Sequence, residues 1–345
     1  MKATVYNAYS KQLDVADIPT PSAGPGELLL KVHACGICGS DVHAAESGHF
    51  DGPAKAGRNV VFGHEYSGEV VALGAGVEGW ELGDHAVGFP VVTCGTCPQC
   101  LAGDIFDCPS VRYQGSDIAL GAYAEYTTTR AAVAAKIPSK MDPDIAALVE
   151  PLGVGLGTWK TAAAPSDADV LILGAGIIGL ATAKWAHFFG ARSVGISEIQ
   201  PARLERARTS FPGAVVIDAG KHPDPVAAMA ETTGRKPTIL IECVGRPMLQ
   251  HLIDIAPPQA HLVMAGAGMA EENFVPLTAL MKRLRISFPL GGYGVADFPY
   301  IIEMLSTGRL TVDGFITAKI GLDDAPAIFE QLKKPNDHCK IVIKP

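Results

Sequence analysis

The run DVLILGAGIIGLATAKW narrows the possible folds of this chain more than any other stretch. An apolar segment leads straight into Gly174, Gly176 and Gly179, and a segment with helical spacing follows. Strand, glycine turn and helix in that order form the phosphate-facing corner of a βαβ unit. Gly174 permits the tight turn, Gly176 lets the backbone approach a pyrophosphate, and Gly179 lets helix and strand pack closely. Ile177 and Ile178 begin the helix, whose N-terminal N–H groups and positive dipole end would face the phosphates. Glu198 ends the next apolar run, SVGIS. A carboxylate there accepts hydrogen bonds from a ribose hydroxyl and repels a 2′-phosphate, which favours NAD(H) over NADP(H). Arg203, shortly after it, could hold a phosphate and pulls the other way.

Beyond this corner, AVVID, ILIECVG and HLVMAGAG read as further strands and QPARLERARTSF as a helix, so a parallel sheet is expected. The first part of the chain, to about Pro138, differs. ELLLKVHAC, VVFGHEYSGEVVALG and AYAEYTTT are β-rich runs between Gly and Pro turns, and DPDIAALVEPLGVGLGTWKTA then switches to helical spacing. The tail carries two helical segments, FPYIIEMLSTG and LDDAPAIFEQL, and a last strand, CKIVIKP. The expected fold class is α/β. A dinucleotide domain over 155–289 interrupts a mostly β domain made of 1–154 and 290–345. A chain of 345 residues suits two domains, and 48% apolar residues can fill both cores. The net charge of −8 comes without a basic stripe, which argues against nucleic acid or an anionic membrane as partner. With no apolar h-region at the start and no membrane-length apolar run, the expectation is a soluble, cytoplasmic protein.

Two cysteine-bearing stretches carry metal chemistry. Cys94, Cys97, Cys100 and Cys108, in a lobe over 90–110, can close around one tetrahedral Zn²⁺. Four thiolates leave no open position, so such a site is structural. An iron–sulfur motif would place three residues before its fourth cysteine, and the longer gap here favours zinc; disulfides are the lesser alternative. The second stretch, HACGICGSDVHAAESGHF, looks like a metal site or a redox pair. A catalytic zinc needs three protein ligands and an open position. The candidates are Cys38 in a CGSD turn, His64 and Glu65 in GHE, and Glu150 in VEPLG on the linker between domains. Zinc removes the need for a Cys35–Cys38 redox pair and leaves Cys35 as a small buried thiol. His33 and His49 are best read as structural or solvated.

CGICGSDVH, GHEYSGEVVALG, GDHAVGFP, the four-cysteine lobe, EPLGVG and GAGIIG occur in one order over essentially the whole chain. Together they resemble the zinc-containing medium-chain dehydrogenases/reductases, the alcohol dehydrogenase superfamily. GHE with EPL is most similar to the polyol and threonine dehydrogenase branch. The resemblance implies a GroES-like catalytic domain, a Rossmann doubly wound sheet and two zincs per chain. It implies Cys38 and His64 as ligands of the catalytic zinc, with a carboxylate (Glu65 or Glu150) and a water. Ser40 would take the substrate proton, His43 would pass it towards solvent, and Asp41 would orient His64. Val244, Gly245, Ala265, Gly266, Leu290 and Gly291 would wrap the nicotinamide half. In sorbitol-type members a tyrosine is common where Ala44 stands, and an arginine grips the polyol where Tyr293 stands. The substrate is then expected to be something other than a simple hexitol, in a roomier or less polar pocket.

The implied activity is reversible oxidation of a secondary alcohol to a ketone, with hydride transfer to NAD⁺, by a homodimer or homotetramer. The alternatives are an NADP(H)-dependent primary alcohol or aldehyde oxidoreductase and a non-catalytic relative. Retention of Cys38, His64, Glu65, Ser40 and His43 speaks against the last.

Overall fold

The structure is a computed structural model that describes residues 1–47, 57–118, 120–268, 270–290 and 292–345. His49 and Gly291 lie outside the described residues. Two sheets organise the chain. The six-stranded sheet is fully parallel, with Asp169–Leu173 inside it between Ser193–Glu198 and Ile239–Glu242. Val215–Asp218 closes one edge and Arg285–Ser287 the other, with His261–Met264 next to the latter. Helices cover both faces of a parallel sheet, which is why all five residues of Asp169–Leu173 are buried. The burial of the central strand follows from its apolar run in the sequence.

The second sheet has seven strands and is built around the strand Glu27–Gly36. That strand pairs antiparallel with Glu65–Leu73 and with Tyr126–Arg130. Its far end pairs with Lys340–Lys344, through Val342↔Gly36 and Ile343↔Cys35. The end of the chain therefore lies beside the turn that carries Cys38.

Two local structures differ from the sequence reading. The CGSD segment is not a simple turn: Gly39–Ser47 forms a helix that begins directly after Cys38 and buries Asp41 in its first turn. An acidic side chain in a first turn suits the helix dipole, a signal that the neighbouring glycines obscured. Glu150, read as lying on the linker between domains, sits in the first turn of the helix Val149–Ala162 and is 7% exposed. That helix packs against Ile177–Phe188, where Trp185 Nε1 donates to the Leu152 carbonyl at 2.8 Å. A Cβ on Gly155 would sit 2.7 Å from the Ala181 Cβ, so the close crossing requires glycine there. Among the described residues, no helix is long and apolar enough to cross a membrane.

Candidate active site

Three candidate ligands converge. One ligand atom each from Cys38, His64 and Glu65 lies within 4.8 Å of the others. Cys38 is supplied by the end of Glu27–Gly36 and the helix after it, and Glu65 begins the neighbouring strand. His64 follows Gly63, whose φ of 97° bends the chain in a region that favours glycine. His64 Nδ1 lies 3.4 Å from Asp41 Oδ1, the relation in which a carboxylate fixes a ligating imidazole. Burial alone would lower the pKa of His64, but the Asp41 carboxylate and the Cys38 sulfur hold it well above the ordinary value. Ser40 Oγ donates to Cys38 Sγ at 3.1 Å. His43 is exposed, one turn along the same helix.

Glu65 is 1% exposed and has a partner the sequence reading missed. Lys340, equally buried, donates to Glu65 Oε1 at 2.7 Å and to the Ile37 carbonyl at 2.7 Å. Glu65 Oε2 lies 2.6 Å from the same nitrogen but has no hydrogen-bond donor directed at it. A buried carboxylate oxygen in that state, beside a thiol and an imidazole, fits a metal ion well: thiolate, imidazole and carboxylate are the donor set of open zinc sites. Glu150 falls outside the 4.8 Å set. Its Oε1 accepts from the Tyr293 hydroxyl at 2.7 Å. Burial pushes the Glu150 carboxyl up to about 7, the Glu65 charge adding to the effect while His64 and Tyr293 oppose it.

The four-cysteine lobe is also assembled. Cys94, Cys97, Cys100 and Cys108 each place a sulfur within 4.8 Å of the others, and all four are free thiols rather than disulfides. Backbone N–H groups point at the sulfurs, from Cys97 to Cys94 at 3.3 Å and from Cys100 to Cys97 at 3.4 Å. N–H donors favour the thiolate, the form that binds metal, and those of Thr96 and Cys97 bring Cys94 down to about 6. These donors fit a closed metal site.

On the cofactor side, a Cβ at Gly179 would lie 1.9 Å from the Gly174 carbonyl, and Gly174 has φ of 99°. Both positions therefore require glycine, whereas a Cβ at Gly176 would meet open space, as a surface facing a ligand demands. Glu198 accepts from Ala175 N at 3.0 Å, inside the glycine turn, and from Ile199 N and Gln200 N. Arg203 approaches it to 4.0 Å and also reaches Asn336. Glu242 is a second residue the sequence reading missed. It ends its strand buried, accepts from Val244 N and Gly245 N through Oε1, and from Gly266 N through Oε2 at 3.1 Å. One carboxylate thus ties together the loops of Val244–Gly245 and Ala265–Gly266. The Val244 and Leu290 side chains are exposed. A charge inside the apolar run TILIECVG, which must find partners when buried, was the available signal.

Residues 24–139 match the family model of the alcohol dehydrogenase GroES-like domain, and residues 178–307 that of the zinc-binding dehydrogenases. An uncharacterised zinc-type alcohol dehydrogenase-like protein of Escherichia coli is 32% identical over 95% of this chain and 94% of its own length. The sorbitol dehydrogenase of Bacillus subtilis is 28% identical over 100% of this chain and 97% of its own. A zinc-binding dehydrogenase from Sinorhizobium meliloti, solved bound to NADP, superposes with a TM-score of 0.88 at 29% identity, covering 100% of this chain and 99% of that one. The chain belongs to the zinc-containing medium-chain dehydrogenases/reductases, on their polyol dehydrogenase-like side. It is accordingly an oxidoreductase that uses zinc and a nicotinamide cofactor.

In protein stripped of metal, removing Lys340 leaves the Glu65 charge buried without its counter-charge. Lys340→Met should destabilise the fold by about 3–5 kcal/mol, the usual cost of breaking a buried pair. Urea unfolding measures it, and a loss below about 1 kcal/mol would mean that the pair is not needed to hold the last strand.

Proposed function

We propose that this protein oxidises a secondary alcohol (a polyol, diol, hydroxy acid or similar compound) to the ketone, reversibly, with NAD⁺ as hydride acceptor. The observation that carries the proposal is the convergence of Cys38, His64 and Glu65 beside Ser40. In this reading Cys38, His64 and Glu65 hold the catalytic zinc, Glu150 standing by as an alternative carboxylate, and the four-cysteine lobe holds a structural one. A zinc there would supply Lewis acidity towards an alcohol oxygen. Asp41 keeps the His64 ring in one orientation. The Ser40 hydroxyl, free to turn from the Cys38 sulfur, accepts the substrate proton and hands it to His43 and solvent. Tyr293 donates to Glu150 and stands where sorbitol-type enzymes place an arginine, which leaves the pocket without that polyol-gripping group, so a simple hexitol is not the preferred substrate. Glu242 and the loops it ties present the nicotinamide half, and the Glu198 carboxylate keeps one acceptor position for a ribose hydroxyl. Catalytic residues would come from 1–154 and 290–345, and cofactor residues mainly from 155–289. An NADP(H) reading has its own support in Arg203 and in the NADP-bound relative.

The chain also has a surface expected to meet a second copy of itself. The helix Pro276–Lys282 buries none of its residues, and Leu277, Leu280, Met281 and Phe288 are each more than 60% exposed. They flank Arg285–Ser287, the open edge of the parallel sheet. An apolar helix beside an unpaired strand edge is a poor surface for a monomer.

Wild-type protein assayed with a panel of alcohols should reduce NAD⁺ well in preference to NADP⁺, with a secondary alcohol best. A marked NADP⁺ preference would contradict the role given to Glu198, and sorbitol or xylitol as best substrate the role given to Tyr293. Cys38→Ser should lose turnover by at least about 10³-fold while still binding NADH, followed by fluorescence; near-normal turnover would sink the catalytic assignment. Sedimentation equilibrium should give a dimer or tetramer mass, shifting to monomer in Leu280→Glu. A monomeric wild type would refute the proposed surface.

A further inference from the structure

Tyr123 is fully buried and has no part in the chemistry described so far. Its hydroxyl donates to Asp41 Oδ2 at 2.7 Å, with the Gly36 carbonyl at 3.3 Å as a second, longer acceptor. The other oxygen of the same carboxylate, Oδ1, is the one beside His64 Nδ1. One short donor therefore decides which way the Asp41 carboxylate faces. The tyrosine is itself fixed at both ends. Its backbone N–H donates to the Phe62 carbonyl at 2.9 Å, and its own carbonyl accepts from Thr4 N at 2.8 Å. Its ring packs edge-on to Phe329 and fills the space above Gly63, where a Cβ would lie 2.6 Å away. Gly63 is therefore excluded from being any other residue twice over, by φ and by this ring, and His64 is the next residue.

We propose that Tyr123 is a positioning residue of the metal centre, acting through Asp41 to hold the His64 imidazole in its ligating orientation. The proposal rests on the reading of Cys38, His64 and Glu65 as a metal site. Without the hydroxyl, Asp41 Oδ2 is a buried acceptor with no donor, and the contact that holds Oδ1 towards His64 is lost. Outer partners of a ligating histidine typically contribute 10–100-fold to metal affinity. A core tyrosine that merely satisfied its hydroxyl would change the melting temperature and leave metal affinity alone.

The test is Tyr123→Phe, which keeps the ring, in full-length protein as isolated. Zinc release to a chromophoric chelator is followed, with the four-cysteine lobe as internal reference. The expected result is release from the Cys38 centre at about 10-fold lower chelator concentration or less, with the lobe unchanged. Asp41→Asn should weaken the same centre, and adding Tyr123→Phe to it should weaken it little further, because both act through one carboxylate. Wild-type retention in Tyr123→Phe, or full additivity in the double variant, would overturn the proposal. A wild-type protein that holds zinc at the lobe alone would overturn the metal-site reading and this proposal with it.

Discussion

The buried pair of Lys340 and Glu65 joins residues far apart in sequence, and the catalytic half depends on it. Both side chains are 1% exposed, so each charge needs a buried counter-charge, and each supplies one to the other. The ammonium also caps the Ile37 carbonyl, one residue before Cys38. Docking of the last strand beside Glu27–Gly36 places this lysine against Glu65, so the end of the chain and the site share one contact. The close approach leaves no room for a side chain at Gly36, where a Cβ would lie 2.1 Å from Glu65 Oε2. Packing and chemistry therefore constrain the same few residues.

The cofactor half uses carboxylates differently. Glu198 and Glu242 each end a parallel strand and spend their oxygens on backbone N–H groups of neighbouring loops. Burial pushes the Glu242 carboxyl up, while the N–H donors of Gly245, Val244 and Gly266 draw it back towards the charged form. Loops fixed from within in this way form a preorganised cradle at the carboxyl ends of the strands, where open α/β sheets bind ligands.

Features carried by neighbouring residues were legible in the sequence. GAGIIG, with an acid at the end of the next strand, announced the parallel sheet, and the cysteine spacing announced a lobe whose sulfurs do meet. What stayed hidden depends on partners distant along the chain. Lys340 sits in an apolar final strand, Tyr123 in an irregular segment, and Glu242 in a buried run, and each finds its partner only after the sheets form. The burial of Glu150 was not legible either, because it comes from the packing of the Val149–Ala162 helix, which is buried along most of its length.

In the proposed function two separate metal centres serve different ends, one at Cys38, His64 and Glu65 and one in the four-cysteine lobe. Metal analysis of the purified protein tests it most directly, on wild type, Cys38→Ser and Cys100→Ser. Two zincs per chain are expected in the wild type and one in each variant, with the melting temperature falling mainly in Cys100→Ser. One zinc per wild-type chain, or the loss of both with Cys38→Ser, would contradict it.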